Sequence, residues 1–383
     1  MLSITSSPVK ALSGTAIVPA DKSISHRSVI FGALADGVTE VTNLLTGEDV
    51  LSTVAAFRSM GVLIEGPDSG RLRISGAGKF GLQAPGNELD LGNSGTSIRL
   101  LSGLLSGQRF HSRLTGDESL RRRPMGRVVD PLTAMGAVIQ SCEGCPPLDI
   151  QPSQGLTGIE YQMPVASAQV KSALLLAGLY AEGETLISEP TPTRDHTERM
   201  LAGFSKGQWR AGSGIRINGD IALTGQCLEV PGDISSAAFL LVAATICPGS
   251  DLLLPGVGIN PTRSAVLAIL RLMGANIEIS PERLESNEPV CDLRVRSASL
   301  KGIDIPPEFV ANAIDEFPVL AIAAAAASGV TRVREARELR VKESDRIAAV
   351  VQGLATLGID TVEYPDGMDV TGGTFGSGSI ESF

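Results

Sequence analysis

The sequence predicts an α/β fold made of tandem repeats. Three observations carry this: recurring apolar segments that end in glycine, helical periodicity after them, and a repeated glycine stop. The Ala/Leu-rich segments end at Gly37, Gly107, Gly183, Gly249 and Gly329. Their spacing of roughly 65 to 80 residues exceeds that of common solenoid repeats.

Each apolar segment opens on small or polar residues suited to a helix N-terminus. In chain order these are Val18-Pro19-Ala20-Asp21-Lys22-Ser23, Asn93-Ser94-Gly95-Thr96-Ser97, Met163-Pro164-Val165-Ala166-Ser167, Val230-Pro231-Gly232-Asp233-Ile234-Ser235-Ser236 and Ile314-Asp315-Glu316-Phe317-Pro318. A second helix follows in each unit. Its apolar positions are Val50, Val54, Phe57 and Met60 in the first unit and Val128, Leu132 and Met135 in the second. Leu267, Leu270 and Met273 repeat the pattern in the fourth unit, and Ile347, Val350, Leu354 and Leu357 in the fifth. Four of these helices end in Met60-Gly61, Met135-Gly136, Met273-Gly274 and Leu357-Gly358, where glycine suits a left-handed cap. The third unit is degenerate, with Met200-Leu201-Ala202-Gly203. β-Prone pieces such as Val62-Leu63-Ile64 and Ala275-Asn276-Ile277-Glu278-Ile279 complete units that read strand, helix, strand, helix, strand. About two dozen residues follow Gly358, too few for a sixth unit of this period, so the expectation is five units with a sixth missing.

Hydrophobic residues make up 43% of the chain and charged ones 19%, an ordinary globular composition long enough for two or more domains. A net charge of −10 argues against a nucleic-acid partner held by bulk electrostatics. Five scattered cysteines suit reduced thiols. Cys142 and Cys145 form a lone CxxC, and with only His26, His111 and His196 elsewhere no metal site is expected. The first ten residues lack the apolar core of a signal peptide and no stretch is long enough to span a bilayer, so a cytoplasmic protein without membrane partners is expected.

The chemistry gathers at the helix starts. Lys22 and Ser23 open a helix, with Arg27 one turn on. Cations there oppose the helix dipole unless an anion is bound, the alternative being a solvated basic patch. Gly95 allows close backbone approach to a ligand, or is simply a good helix start. Arg121-Arg122-Arg123-Pro124 precedes a helix and suits anion capture, although a charge run is more often solvated. Ser167-Ala168-Gln169 and Arg194-Asp195-His196 add uncharged donors and an arginine. In Arg340-Val341-Lys342-Glu343-Ser344-Asp345-Arg346, helical spacing would pair Glu343 with Arg346 and Lys342 with Asp345. That segment is therefore either a self-neutralised first turn or, with Asp315, a site where cations hold anions while carboxylates move protons.

Taken in order, Asp21-Lys22-Ser23-Ile24-Ser25-His26-Arg27, Gly92-Asn93-Ser94-Gly95-Thr96, Arg123-Pro124-Met125-Gly126, Ser167-Ala168-Gln169-Val170-Lys171-Ser172, Thr193-Arg194-Asp195-His196-Thr197-Glu198, Ile314-Asp315-Glu316 and the Arg340–Arg346 segment resemble the 5-enolpyruvylshikimate-3-phosphate (EPSP) synthase family. The resemblance implies the two-domain enolpyruvyl transferase fold, each domain built from βαβαββ units around buried helices that face the inter-domain cleft. One domain would combine residues 1–20 with 230–383, the other would span 21–229, and the crossovers would lie near 20 and 230. The implied reaction transfers the enolpyruvyl group of phosphoenolpyruvate to the 5-hydroxyl of shikimate 3-phosphate, without metal or organic cofactor, in a protein that is monomeric when full length. Lys22, Ser23, Arg27, Ser167, Ala168, Gln169, Arg194, Asp315 and Lys342 would hold shikimate 3-phosphate. Lys22, Gly95, Arg123, Gln169 and Arg346 would face phosphoenolpyruvate, and Asp315 and Glu343, assisted by Lys22, would transfer protons. The family's Asp-His-Arg motif and later lysine have no counterpart in this chain. A UDP-N-acetylglucosamine enolpyruvyl transferase shares the implied fold, but it usually carries a cysteine on the loop before the arginine-proline pair, and residues 112–123 contain none. A non-catalytic fragment that keeps part of the substrate site is the further alternative.

Overall fold

The computed structural model describes residue 5 and residues 7–207, 209, 214–342 and 344–380. The chain divides into two compact units, one of Ala20–Pro231 with Leu284–Glu288, the other of Met1–Pro19, Gly232–Arg283 and Pro289–Phe383. Among the described residues no helix is long and apolar enough to cross a membrane.

The unit containing Ala20–Pro231 holds three repeats of one plan. In the second repeat, strand Leu89–Asp90 leads through helix Gly95–Ser106 to strand Ser112–Thr115, which it pairs in parallel. Helix Gly126–Ala134 then precedes the hairpin Ile139–Cys142 and Cys145–Ile150, added antiparallel. A parallel pair needs a crossover connection, and the buried helix is that crossover. The third repeat runs through Glu160–Gln162, helix Ala168–Gly178, Glu184–Ser188, helix His196–Phe204 and Ile215–Asn218. The first has helix Lys22–Leu34, strand Asp36–Thr42, helix Glu48–Ser59 and the hairpin Leu63–Asp68 and Arg71–Ala77, but its parallel strand is Cys227–Glu229.

The other unit holds two repeats among its described residues. One has helix Ile234–Ile246, strand Asp251–Gly258, helix Ala265–Met273 and strands Asn276–Ile279 and Glu288–Arg296, with Ser13–Thr15 as the parallel strand. The last has helix Phe317–Ala325, strand Val330–Val333, helix Arg346–Thr356 and the hairpin Thr361–Tyr364 and Gly367–Thr371, with single parallel bridges at Lys301 and Asp304. Two strands are thus exchanged between the first and fourth repeats. Asp21 N donates to Pro231 O and Asp233 N to Pro19 O, each at 2.8 Å, which registers the two junctions reciprocally.

The first helix of the first repeat is buried nearly all round, whereas that of the fourth, Ile234–Ile246, leaves Phe239 62% exposed. Val29, Ile30, Phe31, Ala33 and Leu34 are at most 1% exposed. The buried serines satisfy themselves locally: the hydroxyls of Ser28, Ser102, Ser106 and Ser172 donate to the carbonyls of Ile24, Ile98, Ser102 and Ala168 at 2.6–2.9 Å. Glycine lets two such helices meet backbone to backbone, since a Cβ on Gly103 would lie 2.0 Å from Ala173 O. The second helices are one-sided, and Gly61, Gly136, Gly274 and Gly358 end them at φ of 85°, 102°, 103° and 78°. The third repeat, degenerate in sequence, lacks this stop. Gly203 lies inside helix His196–Phe204, and the turn falls at Lys206 and Gly207, with φ of 50° and 76°.

Buried His26 stands 2.8 Å by Nδ1 from Thr53 Oγ1. Burial, then the Lys22 and Arg27 charges, push its pKa down to about 3. A depressed histidine leaves stability intact above its unfolded value of about 6.5 and erodes it as pH falls toward the folded value. Equilibrium unfolding is expected to show this acid loss, and His26→Gln to flatten it. Gly103→Ala should lower stability by about 1–3 kcal/mol despite alanine's better helix propensity, because backbone atoms must move apart. A thermal melt matching that of the unaltered chain would contradict the close approach.

Candidate active site

Three helix starts and one loop arm the Ala20–Pro231 unit. Asp21 caps helix Lys22–Leu34 by accepting from Ile24 N at 2.8 Å. Half-exposed Lys22 reaches Asp49 at the start of the next helix. Arg27 is only 3% exposed and donates Nε to Thr197 Oγ1 at 2.7 Å, Nη1 to Ser23 O at 2.9 Å and Nη2 to Ser172 Oγ at 2.7 Å. Burial pushes its pKa down to about 10; Glu198 and Asp21 resist this and Arg194 adds to it, so the side chain stays cationic at neutral pH. Ser172 and Thr197 touch at 2.7 Å, which fixes both hydroxyls that orient the guanidinium.

Ser94 caps helix Gly95–Ser106, accepting from Ser97 N at 3.1 Å. A Cβ on Gly95 would stand 2.7 Å from Arg123 Nη1 and 2.8 Å from Arg99 Nη1, so two guanidinium groups crowd this helix start. Arg123 donates to Asn93, and Arg99 Nη1 donates to Gly95 O at 3.1 Å and to Gln169 Oε1 at 3.0 Å. Gln169 returns a bond from Nε2 to Thr96 Oγ1 at 3.1 Å. Ser167 caps helix Ala168–Gly178, which presents Ala168 and Gln169 in its first turn.

A buried ion cluster supports the Arg194 loop. Lys171, 1% exposed, meets Glu198 at 2.7 Å and Glu189 at 3.1 Å and donates to Thr193 O at 3.2 Å. Glu189 also accepts from Thr193 N at 3.1 Å and Thr193 Oγ1 at 2.6 Å, which anchors the residue before Arg194. Burial raises the Glu198 pKa against the pull of Lys171.

In the other unit, Lys342 Nζ and Arg346 Nη1 converge on Asp315 Oδ1 at 3.4 and 3.0 Å. This corrects the helical pairing read from the sequence. Lys342 is extended and lies outside the helix, which begins at Arg346. Asp345 is the cap of that helix, accepting from Ala348 N at 3.1 Å, and Arg340 takes its other oxygen at 2.7 Å, so Lys342 turns to Asp315 instead. Asp315 itself precedes the helix whose cap is Glu316. Glu343 lies outside the described residues.

The structure therefore joins Ser23 with Arg27, Gly95 with Arg123, and Asp315 with Lys342 and Arg346. Gln169 reaches the Gly95 helix through Arg99 and Thr96. Lys22 pairs with Asp49. Sequence reasoning missed Arg99, although a basic residue four positions after Gly95 in a buried helix was a usable signal. It also missed Ser172 and Thr197 as holders of Arg27, which only proximity in space reveals.

Residues 6–383 match the EPSP synthase (3-phosphoshikimate 1-carboxyvinyltransferase) family. A 3-phosphoshikimate 1-carboxyvinyltransferase of Methylococcus capsulatus is 59% identical over 379 residues, covering 99% of this chain and 87% of the relative. One from Legionella pneumophila is 54% identical over 382 residues, covering 100% of this chain and 88% of the relative. The solved EPSP synthase of Acinetobacter baumannii superposes with a TM-score of 0.86 at 53% identity, covering 95% of this chain and 82% of that one. On repeat plan, helix-tip cations and this degree of likeness, the chain belongs to the EPSP synthase family.

Proposed function

We propose that this chain transfers the enolpyruvyl group of phosphoenolpyruvate to the 5-hydroxyl of shikimate 3-phosphate, releasing inorganic phosphate. The observation that carries the reading is the concentration of cations at buried helix starts, in a chain whose net charge is −10. Two polyanionic substrates repel each other, and such preorganised cations and helix dipoles offset that repulsion while fixing orientation. Family membership favours this acceptor over a UDP-sugar.

Arg27, with Ser23 and Lys22, faces shikimate 3-phosphate, as do Ser167, Ala168, Gln169 and Arg194. Among the described residues Arg27 spends three of the guanidinium's five N–H donors on the protein. Phosphoenolpyruvate meets Lys22, Arg123 and Gln169 beside Gly95, whose missing Cβ admits a small anion against the helix start. Asp315 and Lys342 serve shikimate 3-phosphate and Arg346 serves phosphoenolpyruvate.

Substitution at the vinylic carbon proceeds by addition and then elimination. A proton is added to the methylene carbon, the 5-oxygen bonds to the adjacent carbon, and the 5-hydroxyl gives up its proton. Loss of phosphate and of one proton from the methyl group so formed then restores the double bond. Asp315, held by two cations, accepts the hydroxyl proton, and Glu343 with Lys22 serves the methylene carbon.

Asp315→Asn keeps the size of the side chain but not the base, so kcat in a phosphate-release assay should fall by about 10²- to 10⁴-fold. Turnover near that of the unaltered chain would remove Asp315 from the proton-transfer role. Gly95→Ala displaces the ends of Arg99 and Arg123, both flexible, so folding should survive while KM for phosphoenolpyruvate rises by roughly tenfold or more. An unchanged KM would place phosphoenolpyruvate elsewhere.

A further inference from the structure

A buried polar cluster lies behind the Asp315 turn and has no part in the reaction described above. Arg263, Glu316 and Asp233 are 4%, 2% and 8% exposed. Arg263 Nη2 stands 3.2 Å from Asp233 Oδ1 and 3.9 Å from Glu316 Oε1. The same nitrogen donates to Ser235 Oγ, and the Ser235 hydroxyl is donated to Glu316 Oε1.

Three separate elements meet there. Asp233 caps helix Ile234–Ile246 through Ser235 N at 2.9 Å, and Glu316 is the cap residue of helix Phe317–Ala325. Arg263 leaves a tight turn in which Asn260 Oδ1 accepts from Thr262 N at 2.9 Å and Oγ1 at 2.7 Å, while Arg263 N donates to Asn260 O at 2.8 Å. One guanidinium thus ties the starts of two buried helices to the turn ahead of helix Ala265–Met273.

Asp315 and Glu316 are adjacent in sequence but engage different cations. Glu316 takes Ser235 and Arg263, and Asp315 takes Lys342 and Arg346. Asp315 sits in an irregular turn between the short 3₁₀ segment Ala311–Ala313 and helix Phe317–Ala325, so regular helix bonding does not set its direction. Two carboxylates around one guanidinium in a nearly dry site are not the most stable filling, because apolar side chains of similar volume serve stability as well or better. What the charged cluster supplies is a single geometry.

We propose that Arg263, acting through Glu316, is a positioning residue for the reaction: it fixes the turn that aims the Asp315 carboxylate between Lys342 and Arg346. The proposal rests on the role given to Asp315 above, so its test reads geometry and turnover separately. Glu316→Gln retains an acceptor for the Ser235 hydroxyl and removes the charge that Arg263 holds. In its crystal structure Asp315 should lose contact with Lys342 or Arg346, and kcat should fall about ten- to a hundredfold, as expected for a misplacement near 1 Å. The fall in kcat should exceed any rise in KM for either substrate, which separates aim from affinity. Arg263→Gln should behave alike. Combined with Glu316→Gln it should cost no more than either alone, since both changes break one link. Asp315 contacts unchanged in the Glu316→Gln crystal, kcat within twofold of the unaltered chain, or losses that multiply in the double variant would each overturn the proposal. Absence of turnover in the unaltered chain would instead refute the assigned reaction, leaving the crystal structure of Glu316→Gln to decide the positioning role.

Discussion

The burial of one apolar helix at the centre of every repeat constrains everything else in this protein. A helix whose flanks are mostly buried has little room there for charged groups, and the side chains at its start are polar. Main-chain N–H groups left without helical partners are concentrated at the N-terminus, together with the positive end of the dipole. Asp21, Ser94, Ser167, Asp233 and Glu316 all occupy that position. Ser23, Gly95, Ala168 and Gln169 lie within the first turn after three of these caps.

Gathering cations at such ends is costly, and the molecule offsets the cost with paired carboxylates. Lys22 is met by Asp49, Lys342 and Arg346 by Asp315, and Lys171 by Glu189 and Glu198. Arg27 is held instead by hydroxyls and a carbonyl, which orient the guanidinium without cancelling its charge. The two modes suit two uses. A neutral cradle leaves a cation available to an anion, whereas a carboxylate clamped by cations is held in one orientation.

Local chemistry in the sequence was enough to read the repeat. Gly61, Gly136, Gly274 and Gly358 must adopt positive φ, which few other residues tolerate, so they mark helix ends directly. Gly203, in the unit read as degenerate, is no stop: its helix continues to Phe204, and glycine within a helix is tolerated where packing outweighs propensity. Lys342 departs from its local pattern. Its spacing to Asp345 suits a helix, but Asp345 caps that helix and leaves Lys342 outside it.

The sequence by itself determined the repeat, the apolar helices, their caps and stops, and the residue types gathered at each helix start, because these depend on interactions within a few positions along the chain. Only the tertiary structure decided which strands are exchanged between the first and fourth repeats, that Arg27 rests on Ser172 and Thr197, and that Asp315 rather than Asp345 receives Lys342. Those choices join residues from 27 to 238 positions apart, where sheet pairing and burial, rather than local backbone preference, set the neighbours.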